Sequence, residues 1–208
     1  MKTEQEYIKD LSDIRHMMEK STKFLSLAGW SGIMAGIYAL AGVFVVYRLF
    51  DLNEGVVFYH AISSQEIPSY IFKLIAVASI VLLLAIGTCI FLSYKKAQKN
   101  NEVLWNKTTR RLVLNMAIPL VAGGILILML IDKGFYGLMA PLTLIFYGLS
   151  LVNASRFTFD ELRYMGILEI MLGLLSVYFI SFSLVLWSVG FGILHIIYGI
   201  YMHWRYER

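Results

Sequence analysis

Six apolar runs decide what this chain can fold into. They fall at 24–47, 69–94, 112–131, 135–154, 164–181 and 184–204. Each is long enough, or nearly so, for a helix crossing a hydrocarbon core, which takes about 20 apolar residues. Together they occupy most of the 208 residues and leave no stretch long enough for a separate soluble domain. The composition agrees. The chain is 59% hydrophobic and 15% charged, with a mean hydropathy of +0.69, whereas soluble domains are roughly 45–50% apolar. The expected fold is therefore an all-α polytopic membrane protein with six transmembrane helices.

The links between runs say how the helices pair. Asp132-Lys133-Gly134 joins the third to the fourth, and Ser181-Phe182-Ser183 joins the fifth to the sixth. Such short links force antiparallel neighbours, and the sequence predicts three hairpins. Residues 1–23 precede the first run. There Tyr7, Ile8, Leu11, Ile14, Met17 and Met18 recur at steps of three and four between acids and bases. That periodicity predicts an amphipathic helix lying at the membrane interface. Five acids in this lead, and an apolar run continuing to Tyr47, argue for a retained anchor and not a cleaved signal peptide, despite Ala39-Leu40-Ala41. The expected organisation is an interfacial helix at 1–23, a membrane domain at 24–204 and a short tail at 205–208.

Charge gives the orientation. Fifteen Lys and Arg lie in the tail 1–23, the loops 95–111 and 155–163 and the tail 205–208; Arg48, Lys73 and Lys133 lie at the other ends. The positive-inside rule then places both termini in the cytoplasm. The basic loop 95–111 suits a topology determinant that touches anionic headgroups. Lys73 suits a side chain that snorkels to the outer surface. The outer loop 49–68 carries His60 and no catalytic constellation.

Two stretches carry the chemistry. Gly166-Ile-Leu-Glu-Ile-Met-Leu-Gly173 and Gly192-Ile-Leu-His-Ile-Ile-Tyr-Gly199 share their glycine spacing and differ in the ionisable residue between. Gly124-Ile-Leu in the third run, and Gly32-Ile-Met-Ala-Gly36 in the first, repeat the start of the pattern. Residues seven apart, and three after the first, share a helix face. Small residues let helices approach closely in a membrane, so Gly32, Gly36, Gly166, Gly173, Gly192 and Gly199 are candidate packing positions. Glu169 and His195 then point into the bundle. At about 1.5 Å per residue they lie roughly 8 and 12 Å from the cytoplasmic ends of their helices. An isolated ion at such depth is costly, and pairing or protonation reduces the cost. Two functions fit: a hairpin lock, or a site for a proton or small solute.

Other interior candidates are Asn115, Pro119, Pro141, Thr143 and Asn153. Arg156, Asp160, Glu161 and Arg163 gather at the cytoplasmic mouth of the hairpin holding Glu169. No metal or haem site is expected, since only His195 is at membrane depth; His203 is eight residues on, and His16 and His60 fall on opposite sides. No cofactor is implied. Serine-hydrolase, zinc-protease and phosphate-loop motifs are missing, so no enzyme is expected. Nor is there a basic stripe interleaved with aromatics, which argues against nucleic acid. The lone Cys89, inside an apolar run, excludes a disulfide framework and a Cys/His metal cluster.

The stretches Ile14–Gly29, I-R-H-M-M-E-K-S-T-K-F-L-S-L-A-G, Tyr147–Ile170, Y-G-L-S-L-V-N-A-S-R-F-T-F-D-E-L-R-Y-M-G-I-L-E-I, and Phe191–Ile200, F-G-I-L-H-I-I-Y-G-I, resemble an uncharacterised bacterial family of small multi-pass membrane proteins. The resemblance implies a bacterial inner membrane and no known activity. By glycine and apolar spacing alone, the hairpins also resemble those of acid-resistance membrane proteins. The function expected is a non-enzymatic inner-membrane protein whose Glu169 and His195 bind or pass a proton or small solute, in envelope or acid stress. The alternative is an assembly partner of another membrane protein, with the pair as a lock and the glycine faces as contacts. Membrane lipids, a second copy or such a membrane protein are the partners implied.

Overall fold

The computed structural model describes residues 29–49, 67–100 and 103–206, with the backbone alone at 67–70. The expected amphipathic helix at 1–23, His16, His60 and the last two residues lie outside the described residues. Among the described residues six helices form the fold, and there is no strand. They are α1 (Gly29–Leu49), α2 (Ile67–Lys99), α3 (Lys107–Asp132), α4 (Met139–Ala154), α5 (Glu161–Tyr178) and α6. The last runs as three contiguous pieces: an α-helical Ser183–Trp187, a π-helical Ser188–Leu194 and an α-helical His195–Tyr206. Single 3-10 turns at Tyr136–Leu138, Ser155–Phe157 and Ile180–Phe182 lead into or join them.

Local chemistry sets the ends. Asn106 caps α3, its side chain accepting from the Thr109 amide at 2.8 Å, which starts this helix five residues before the apolar run. At its other end Gly134 takes φ +81°. The Gly134 amide donates to Ile131 at 3.0 Å and that of Phe135 to Leu130 at 2.9 Å. This is a Schellman stop, which needs the left-handed residue that glycine supplies.

Five stretches are long and apolar enough to cross a membrane: Gly29–Leu49, Ile71–Lys99, Lys107–Asp132, Tyr136–Phe157 and Ile180–Tyr206. The expectation of six is met by six helices, but α5 falls outside this set. It begins at Glu161, three residues ahead of the apolar run, and so carries Glu161, Arg163 and Glu169 within 18 residues. Its surfaces are nevertheless inverted with respect to a soluble helix. Tyr164, Leu168, Met171, Leu175 and Tyr178 are exposed, whereas Glu169 and Ser176 are fully buried.

The tightest packing does not follow the three expected hairpins alone. The α1–α2 and α3–α4 pairs are present, but α4 packs most closely on α5, and α1 on α6. Both of these crossings are antiparallel and run through glycine. A Cβ on Gly36 would stand 2.6 Å from the Gly192 carbonyl oxygen, and one on Gly199 would stand 2.7 Å from that of Gly29. On α4, a Cβ at Gly148 would meet the Gly166 carbonyl oxygen at 2.5 Å. One at Gly173 would meet the Pro141 carbonyl oxygen at 3.0 Å. Contacts this short are open only to residues without a side chain. The chain thus uses its glycine faces on itself. By contrast, α2 leans chiefly on α1, where Tyr38 and Thr88 share a hydrogen bond of 3.2 Å. Much of its apolar surface, including Phe72, Ile80, Leu82, Leu83 and Ile90, is exposed.

Candidate functional site

The two ionisable residues meet between α5 and α6. Glu169 Oε1 stands 3.6 Å from His195 Nδ1, with Glu169 fully buried and His195 nearly so. His195 opens the last helical piece, directly after the π-helical turn. Nδ1 is 3.0 Å from the Gly190 carbonyl oxygen, and Nε2 is 2.8 Å from the Tyr147 hydroxyl. A carbonyl only accepts, so Nδ1 carries a proton. In a neutral imidazole Nε2 is then the acceptor and Tyr147 donates to it. The ring is saturated with partners. Glu169 is not: neither carboxyl oxygen has a hydrogen-bond partner among the described residues. At 3.6 Å the histidine is a charge neighbour and not a hydrogen-bond donor.

A packed frame holds this arrangement. Trp187, Phe191 and His195 succeed one another at steps of four along α6, with ring centroids 4.8 and 5.6 Å apart. Tyr147 lies against both Phe191 and His195, at 4.9 and 5.4 Å. The Trp187 indole donates to Thr143 on α4 at 3.0 Å. Gly190 permits the closeness, since a Cβ there would stand 2.5 Å from Glu169 Oε2 and 2.6 Å from Leu144. Towards the Lys133 end of the bundle the site is sealed. Pro141 and Leu144 of α4, Ser176 of α5 and Ser183 of α6 are all fully buried.

Towards the other end, α5 and α6 diverge. They leave a cleft of about 660 Å³ whose lining includes Met165, Leu168, Leu194 and Tyr198. At its far end Glu161 accepts from Tyr206 at 2.9 Å and pairs with Arg205 at 3.1 Å. The Arg205 guanidinium also donates to Tyr201.

The other expected site residues lie elsewhere. Asn115 turns its amide back to the Arg111 carbonyl of its own helix at 2.8 Å. Asn153, Arg156, Asp160 and Arg163 are exposed and do not line the buried pair, but Asp160 lines the cleft together with Glu161, Arg205 and Tyr206. His203 sits edge-on to Trp30 at 5.6 Å, at the α1–α6 crossing. Among the described residues, no three His, Cys, Asp or Glu side chains gather to hold a metal.

Three participants escape a reading of the sequence. Tyr147 reads as apolar filler in its run, and Gly148 beside it as one glycine among many. Gly190 lies in Ser188-Val-Gly-Phe-Gly192, where two glycines so close together are the one sign of an irregular helix.

Searches against protein-family models, curated proteins and solved structures find no match for this chain. What the site does must therefore be argued from its own geometry.

Proposed function

We propose that this is an integral membrane protein whose buried Glu169, His195 and Tyr147 take up and release a proton. The observation that carries this reading is the contrast within the pair. His195 is fully hydrogen-bonded, whereas the adjacent carboxyl, sealed from solvent, has no donor. An ionised carboxylate buried in that way costs several kcal/mol. Protonation state and local structure are therefore coupled at Glu169. Ionising Glu169 while Nε2 of His195 gains a proton converts a neutral pair into an ion pair. Nε2 then donates to the Tyr147 oxygen, which keeps an acceptor ready for it. The π-helical turn beside His195 supports a functional reading, because such turns concentrate at functional sites.

In this proposal all six helices span the membrane, with α5 sheltering its acid against α4 and α6 and turning its apolar face to lipid. Basic residues set both termini in the cytoplasm, and the membrane is the bacterial inner membrane that the sequence resemblance implies. Envelope or acid stress is the setting in which such a site serves.

The assembly-partner alternative has less support. A lock should bring its two groups within hydrogen-bond distance, and the glycine faces meant for a partner are filled by the chain's own helices. The test is pH-difference infrared spectroscopy of the purified protein in lipid vesicles. A carboxyl band that changes with pH in the wild type and is missing in Glu169→Gln is expected. A wild type with no such band overturns the proposal.

A further inference from the structure

We propose that the cleft between α5 and α6 is a lateral site for one membrane phospholipid. A headgroup carrying a phosphate and a primary ammonium sits at the Glu161–Arg205 end, and an acyl chain lies along the groove. This goes beyond the proton-binding reading of Glu169 and His195 and rests only on α5 and α6 spanning the membrane.

The cleft is divided as a lipid is. Met165 and Leu168 of α5 and Leu194 and Ile197 of α6 line its apolar part. Asp160, Glu161 and Arg205 line the end where α5 begins and α6 finishes. Leu168 is 45% exposed and Ile197 57%, so the groove opens sideways, towards hydrocarbon. At about 1.5 Å per residue, the stretches from Glu161 to Leu168 and from Arg205 to Leu194 measure roughly 10 and 16 Å. That is about one leaflet of a hydrocarbon core some 30 Å thick. Tyr164, Tyr201 and Tyr206 are exposed near the charged end, at the level where aromatic rings settle in a membrane. The volume of about 660 Å³ is that of a ligand site and not of a packing defect.

The charges choose the headgroup. Glu161 Oε1 takes both the Tyr206 hydroxyl, at 2.9 Å, and Arg205 Nη1, at 3.1 Å. The same Nη1 donates to Tyr201. The two ions therefore meet through one atom each, which leaves Glu161 Oε2 for a donor and Arg205 Nε and Nη2 for an acceptor. The Arg205 side chain is 54% exposed, and it rides over the rings of Tyr201 and Tyr206 at 5.7 and 5.5 Å. Its fork is thus positioned before a ligand arrives, and a guanidinium fork matches phosphate. The lining carries two carboxylates and one guanidinium, and Lys96 adds a second base over the Phe159 ring at 6.0 Å. Both signs are present side by side, which suits a zwitterionic headgroup. A purely anionic one would meet the carboxylates of Asp160 and Glu161 without an ammonium to answer them.

Native mass spectrometry of the protein released from detergent, with lipid added in steps, tests the site. One phosphatidylethanolamine per chain should be retained about tenfold more tightly than phosphatidylglycerol, which has the phosphate without the ammonium. Arg205→Gln should weaken both lipids, and Asp160→Asn with Glu161→Gln should abolish the preference. Leu168→Trp with Ile197→Trp fills the groove from its lipid-exposed side and spares the charged end; it should release the bound lipid. Equal retention of the two lipids overturns the headgroup assignment, and binding that the tryptophans leave untouched overturns the site. In a Cys89→Ser background, a spin label on Leu168→Cys should relax faster with dissolved oxygen than with an aqueous nickel chelate. The reverse would take α5 out of the lipid, and the site would fall with the span. A lipid-facing label with no retained phospholipid overturns the site alone.

Discussion

Glu169 Oε1 stands 3.6 Å from His195 Nδ1, yet the proton on that nitrogen is held by the Gly190 carbonyl oxygen at 3.0 Å. The acid is beside the base without being bound by it. This geometry separates a site that can change its protonation from one that merely fastens two helices.

The first consequence concerns stability. If Glu169 were one half of a buried lock, removing its charge would cost about 3–5 kcal/mol. Because its oxygens make no hydrogen bond, Glu169→Gln should instead stay within about 1 kcal/mol of the wild type. Thermal unfolding in detergent across about pH 5 to 8, the range in which an imidazole changes charge, checks this. A Gln variant that melts far below the wild type would return the pair to the role of a lock.

Tyr147 should behave differently. Its hydroxyl makes a 2.8 Å bond to Nε2 that is shielded from water. Tyr147→Phe removes it and should cost about 1–2 kcal/mol. The imidazole should nonetheless keep its proton on Nδ1, because the Gly190 carbonyl accepts in either case. Nitrogen-15 NMR of the His195 ring reads the tautomer directly, and a move of the proton to Nε2 would contradict the assignment.

A third prediction sets two glycines against each other. At Gly190 an added Cβ meets Glu169 Oε2 at 2.5 Å and Leu144 at 2.6 Å, whereas at Gly87 there is nothing within 4 Å. Gly190→Ala should therefore destabilise by about 1–3 kcal/mol through overpacking. Gly87→Ala should be neutral or stabilise by up to about 1 kcal/mol, the helix-propensity gain. Melting temperatures of the two variants, measured side by side, test the close packing of Gly190 against the carboxyl.

Much of this fold is legible in the sequence because the signal is length. Apolar runs of about 20 residues have few alternatives to a membrane helix, and six helices are what the described residues form. The spacing of Glu169 and His195 between glycines likewise gave their inward direction correctly. Less visible was which helix each glycine meets. A glycine marks a close approach without naming the partner, so Gly32 and Gly36 found α6, and Gly166 and Gly173 found α4, across the expected hairpins. Asn115 and Asn153 were plausible lining residues by depth alone. One satisfies itself on its own helix and the other faces outward, since polarity says that a partner is needed and not where it lies. The π-helical turn that aims Gly190 at His195 has no periodic signature at all, and neither has the choice of Tyr147 over other aromatics.

The last prediction concerns the mouth of the cleft. Glu161 pairs with Arg205 at 3.1 Å, and Arg205 also rides over the rings of Tyr201 and Tyr206 at 5.7 and 5.5 Å. An ion pair with one partner half exposed gains little from Coulomb attraction in water, and pairs of this kind are typically worth about 0–1 kcal/mol. Glu161→Gln should therefore leave the melting temperature nearly where it is, because the tyrosine rings still hold Arg205 in place. Its effect should appear in access instead. With the link between α5 and α6 weakened, a cysteine at Leu194 should react with an aqueous maleimide several-fold faster than in the parent background. Equal rates would mean that the Glu161–Arg205 pair does not restrict the cleft. A large loss of stability would mean that it fastens the two helices, and that closing the mouth is part of the fold and not of its working.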